Sequence, residues 1–134
     1  MATSCNVKSL ATAEDESESI ESVELTKSSR AWNGKSYEKY PEGKPCLTVM
    51  KMSFEANTTM PWHTHHMPSV AFIISGSLTV EDKNTGITRV FKAGEAFNES
   101  VYDVHRGYTT NEPVEVVVTY AGVEGQPLSV PFQP

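Results

Sequence analysis

Apolar and polar residues alternate along most of this chain in short runs, at residues 47–54, 70–74, 78–82, 87–91 and 114–120. Each run is rich in Val, Thr, Ile and Phe and ends at Gly, Pro, Asn or Asp, the pattern of strands separated by turns. Breaks fall at Asn33-Gly34, at residues 40–45, between Asn57 and Pro61, at Ala93-Gly94-Glu95 and at Asn111-Glu112-Pro113. Asn84-Thr85-Gly86 between two runs predicts a hairpin. The run that carries His63 and His65 is expected to continue as one strand through residues 70–74 to Gly76. No segment longer than about ten residues follows a 3.6-residue period, so the prediction is an all-β, antiparallel sandwich or barrel.

With 134 residues the chain suits one domain, large enough to remove roughly two-thirds of its unfolded surface from water. Residues 12–22 are Ser/Glu-rich and low in apolar side chains, too poor in burial to offset the entropy of ordering. Residues 1–24 are therefore expected to form a flexible acidic tail and residues 25–134 the ordered domain. Val23 and Leu25 alternate with Glu24 and Thr26 and predict a short pairing strand at the boundary.

The net charge of −6 sharpens that division. Six acids against Lys8 leave residues 1–24 at −5, so the remainder carries only −1. A domain without a basic stripe has no means of collecting phosphates by counterion release, which argues against nucleic acid as a partner. The longest apolar runs fall far short of the ~20 residues of a membrane helix. The first residues lack a continuous apolar stretch of the secretory kind, which makes the cytoplasm the expected location. Cys46 opens a strand-like run and is expected to be a small buried hydrophobe, with no disulfide to Cys5.

The chemistry is concentrated in histidine. All four lie between residues 63 and 105, as His63, His65, His66 and His105. Residues two apart on a strand share a face, so His63 and His65 turn toward one point while His66 faces away. His105 on a paired strand supplies a third nitrogen and leaves the other coordination positions open. Imidazole suits iron, nickel, zinc, manganese or copper, so a divalent transition metal is expected without selection among them.

The spacing around these histidines fits two motifs. Asn57, five residues, His63-Thr64-His65, three residues, Ser69, six residues and Gly76 make the first. Gly94, five residues, Ser100, Tyr102, His105, three residues and Thr109 make the second. Over about residues 45–122 the chain thereby resembles the cupin superfamily, in particular its small bacterial single-domain members. The resemblance implies a jelly-roll-like β-barrel with a metal in its mouth held by His63, His65 and His105.

Five departures from the pattern matter. Asn57 stands for a glycine, whose positive φ Asn tolerates. Ser100, Tyr102 and Thr109 replace a proline, a glycine and an asparagine and are expected to alter a loop. Ser69 occupies the place of the glutamate ligand, which implies three neutral imidazoles around the ion and a charge of about +2 that favours anions. Glu99 is the acid best placed to substitute, although its loop position suits a solvated side chain better, and Glu81 and Glu95 are weaker candidates. Tyr102 and Tyr120 are placed to reach a bound ligand with a phenol.

Two functions fit this set. One is a metalloenzyme of the oxygenase or isomerase type acting on a small anionic or enolisable molecule. The other is a non-catalytic cupin that binds or senses a small molecule. A homodimer is expected in either case, because an outer strand face carrying Val70, Phe72 and Ile74 needs cover.

Overall fold

A computed structural model describes residues 19–134. The expected tail over residues 1–24 lies, as far as residue 18, outside the described residues, and so does Cys5. Nine strands and no helix are present among the described residues. They are β1 (Pro45–Phe54), β2 (His63–Thr64), β3 (Ser69–Ser75), β4 (Ser77–Asp82), β5 (Thr88–Lys92), β6 (Ala96–Asn98), β7 (His105–Tyr108), β8 (Val114–Val123) and β9 (Val130–Pro131). Among the described residues no helix is long and apolar enough to cross a membrane.

The strands form two sheets, β1-β8-β3-β6 and β5-β4-β7-β2-β9, and every pairing is antiparallel. The period of two read from the sequence is the period of burial. Val114, Val116, Val118 and Tyr120 of β8 are buried, as are Ala71 and Ile73 of β3 and Leu78 and Val80 of β4. Each large apolar side chain withdrawn in this way contributes about 1.5–3 kcal/mol. Phe91 and Phe97 stack across the core with centroids 4.2 Å apart. The predicted hairpin is β4–β5, with Gly86 at φ 74°.

Three expectations are corrected. The strand expected to run from His63 to Gly76 is two strands in different sheets, β2 and β3. Bends at His66 and Met67 and the missing N–H of Pro68 end the first ladder, and the chain changes sheets there. Val23 and Leu25 form no strand and are 77% and 51% exposed, too little burial to hold the segment in a ladder. Cys46 is exposed, because β1 is the outermost strand of its sheet and its first residues project beyond the core.

The segment before β1 closes one side of the barrel. Trp32 is buried in the core, and its backbone N–H donates to the Asn98 carbonyl at 2.8 Å. The Asn33 amide donates to both Asp82 and Asp103, and Lys35 donates to Asp103 at 3.0 Å. Burial works to raise the Asp82 carboxyl, but hydrogen bonds from Asn33 and Thr85 outweigh it and hold the group below its ordinary range. At the β3–β4 corner Gly76 has φ 80°, and a Cβ there would strike the Pro113 carbonyl oxygen.

Candidate metal centre

His63 and His105 are directly opposed partners of β2 and β7, which places their rings side by side with centroids 4.5 Å apart. His65 comes next on the same face, 4.9 Å from His63 and 5.0 Å from His105. All three are buried, and one ring nitrogen from each lies within 4.8 Å of the others. His66, as its parity predicts, points elsewhere, with its Nε2 at 3.2 Å from Thr64 Oγ1.

Backbone carbonyls fix the tautomer of every ring. His63 Nδ1 donates to the Pro61 carbonyl at 2.8 Å, His65 Nδ1 to that of Leu128 at 2.8 Å, and His105 Nδ1 to that of Asp103 at 2.9 Å. A carbonyl accepts only, so the proton of each neutral ring sits on Nδ1 and its Nε2 presents a lone pair. Burial pushes the His63 and His65 imidazoles below their ordinary value, which keeps them neutral. Three convergent lone pairs cannot bond to one another. A cation satisfies them together, and tethering the far nitrogen is how metal-binding histidines are oriented. The cluster fits a divalent transition metal and does not distinguish among the elements.

Ser100 adds to this support. Its Oγ lies 3.2 Å from His105 Nδ1, and the residue is completely buried. Asn57 has φ 58° and Tyr102 φ 70°, so both lie in the left-handed region that favours glycine.

The remaining expected site residues divide. Tyr120 lines the cavity beside His65, with centroids 5.6 Å apart, and burial together with the charge of Glu99 pushes its phenol up to about 12. It stays protonated and can donate. Tyr102 is not at the site. It is 66% exposed and stacks on His66 outside the cavity, because its positive φ turns the side chain outward. Ser69 faces inward and is buried, but its Oγ has no hydrogen-bond partner. Glu81 pairs with Arg106, and Glu95 accepts from the Lys92 N–H, so neither reaches the histidines.

Glu99 overturns two expectations at once. It is not a solvated loop acid, since its side chain is only 12% exposed and its Oε1 stands 3.3 Å from His105 Nε2. The site is therefore not free of carboxylate. The Glu99 N–H donates to the Ser69 carbonyl at 2.9 Å, and its own carbonyl accepts from the Tyr37 hydroxyl. Tyr37 carries no signal in the sequence, because it comes from the segment ahead of β1.

The histidines and Glu99 occupy one end of a cavity of about 290 Å3. Its other walls are Met50, Met52 and Phe54 of β1, Leu78 and Val80 of β4, and Val116 and Val118 of β8. Among the described residues no lysine or arginine lines it.

No family model and no curated protein sequence matches this chain. Solved structures match in fold. The DMSP lyase DddQ from Ruegeria pomeroyi DSS-3 aligns with 66% of this chain at TM-score 0.58 and 19% identity. The polyketide cyclase RemF from Streptomyces resistomycificus aligns with 69% at TM-score 0.58 and 16% identity. An RmlC-like cupin from Shewanella frigidimarina NCIMB 400 aligns with 59% at TM-score 0.51 and 19% identity. The match spans 44% of the lyase, 63% of the cyclase and 68% of the RmlC-like protein. The all-β antiparallel barrel expected from the strand pattern is present, and its fold is similar to that of these solved structures, an RmlC-like cupin among them.

Proposed function

We propose that this cupin holds a divalent transition metal on His63, His65 and His105 and uses it to bind and transform a small molecule seated in the apolar cavity. The observation that carries this is the common tautomer of the three rings, each with Nδ1–H tied to a carbonyl and Nε2 free. A bound metal supplies Lewis acidity or, for iron or copper, redox chemistry. The chain's own residues decide what reaches it. Met52, Phe54, Val116 and Val118 exclude water and favour an apolar body, while Tyr120 offers a protonated hydroxyl beside His65. Without a basic side chain in the lining, an anionic or enolised head has only the metal to meet its charge. Oxygenase and isomerase reactions on such heads suit the site best.

Elemental analysis of untagged protein tests this, with about one ion per chain expected and a His63→Ala/His65→Ala variant expected to lose it. Wild-type protein that takes up none of iron, nickel, zinc, manganese or copper removes the proposal. Where metal binds, oxygen uptake and product analysis with thiols, diketones and flavonols test catalysis. Silence across that panel with retained ligand affinity favours a binding protein.

The proposal extends to a homodimer. Leu47, Val49, Val70 and Ile74 are 74%, 63%, 38% and 41% exposed on the outer face of the sheet that contains β1 and β3, and β1 has no strand beyond it among the described residues. An open edge beside an apolar face invites a second copy. Light scattering at micromolar concentration is expected to give twice the chain mass, and a monomer mass removes this part.

A further inference from the structure

We infer that Glu99 is the carboxylate ligand of the centre, transferred from the position of Ser69 to that of its cross-strand neighbour. The inference rests on the metal-binding role proposed for the three histidines. In β3 and β6 the register pairs Val70 with Asn98, Ala71 with Phe97 and Phe72 with Ala96. One step further, the Glu99 N–H meets the Ser69 carbonyl, so residues 69 and 99 stand side by side. Ala71 and Phe97 are both buried, and two residues along each strand Ser69 and Glu99 return to the same inward face. A side chain from either position therefore enters the same region of the barrel.

The polar atoms there agree. Ser69 Oγ, Glu99 Oε1 and His105 Nε2 are all buried and all lack a hydrogen-bond partner. Leaving a buried polar atom unmatched costs about 1–3 kcal/mol, so two acceptors facing each other in one place call for a positive charge between them. Glu99 Oε1 and His105 Nε2 stand 3.3 Å apart, and neither atom has a hydrogen-bond partner. That separation is a ligand-to-ligand distance. Two bonds of about 2.1 Å meeting at roughly 90–109° separate their donor atoms by about 3.0–3.4 Å.

Backbone support fits the role as well. Glu99 is held at its N–H by Ser69 and at its carbonyl by the Tyr37 hydroxyl, so the carboxylate projects from a fixed point. A serine at position 69 then has a reason of its own. A second large acid beside Glu99 would place two like charges in one buried space.

Cobalt(II) is the probe. Its affinity, measured by competition with a chelator, and its d–d absorption bands are compared in the wild type, Glu99→Gln, the turn-acid control Glu95→Gln, and the exchanged variant Ser69→Glu/Glu99→Ser. Glu99→Gln is expected to bind at least about tenfold more weakly, the lower end of the loss seen when even an outer partner of a metal ligand is removed. Its bands are expected to shift, while Glu95→Gln matches the wild type. Affinity within threefold of the wild type together with unchanged bands overturns the inference while leaving the three-histidine site standing. If the wild type binds neither cobalt nor any of iron, nickel, zinc, manganese and copper, both fall. The exchanged variant is expected to regain most of the affinity. If it unfolds at the wild-type temperature yet binds no better than Glu99→Gln, positions 69 and 99 are not equivalent and the transfer is wrong.

Discussion

The two walls of the cavity are built on opposite rules. On the wall of β2 and β7 every histidine is tethered at its far nitrogen, His63 to Pro61, His65 to Leu128 and His105 to Asp103, so direction is fixed. On β1, β4 and β8 the lining side chains Met52, Leu78, Val80, Val116 and Val118 carry no polar group, and only packing holds them. The comparison separates two tasks. The first wall sets where a donor atom goes, and the second sets the size and polarity of the molecule that can sit against it. Such a division lets the apolar wall change without moving the histidine cluster, provided the barrel stays closed.

The largest test of that independence is Leu78→Ala. Leu78 is 5% exposed, lines the cavity and packs over Gly107, two residues along from His105. Its truncation is expected to lower unfolding free energy by about 2–5 kcal/mol, because a buried leucine is lost and the space it leaves collapses only partly. Denaturant titration gives that figure. Metal stoichiometry below the transition is expected to remain at one ion per chain. Loss of the ion from a folded variant would mean that apolar packing positions the histidines and that the walls are one unit.

The uneven legibility of the site in the sequence has its origin in the same division. Strand identity and inward parity come from a local period of two, so β1, β3, β4, β5, β7 and β8 are all visible in the residue pattern. The histidine spacing is visible for that reason too. What a local period does not carry is which strand lies beside which. Residues 69 and 99 become neighbours only through the β3–β6 pairing, so in the sequence Ser69 looks like a missing ligand and Glu99 like a loop acid. Tyr102 misleads for a related reason, since its outward direction is set by a φ of 70° that its residue type does not announce. Tyr37 and the Leu128 carbonyl come from segments outside both motifs, and nothing near them in the chain marks them as supports.

A smaller and sharper test lies inside the tethered wall. His105 Nδ1 carries one proton but has two neighbours, the Asp103 carbonyl at 2.9 Å and Ser100 Oγ at 3.2 Å. The nearer carbonyl takes the larger share of the bond, and a backbone group is not removed by substitution. Ser100→Ala therefore takes away the lesser partner and leaves the tautomer in place. The expected result is a loss of metal affinity of no more than about tenfold, at the mild end of what outer partners of a ligand contribute. Its stability cost is about 1 kcal/mol, the net value of one buried hydrogen bond. Chelator competition and thermal melting measure the two separately. A hundredfold loss of affinity would make Ser100 the principal tether of His105. Unchanged affinity with a lower melting point would assign the hydroxyl to barrel packing alone and leave the orientation of this ring to the carbonyl of Asp103.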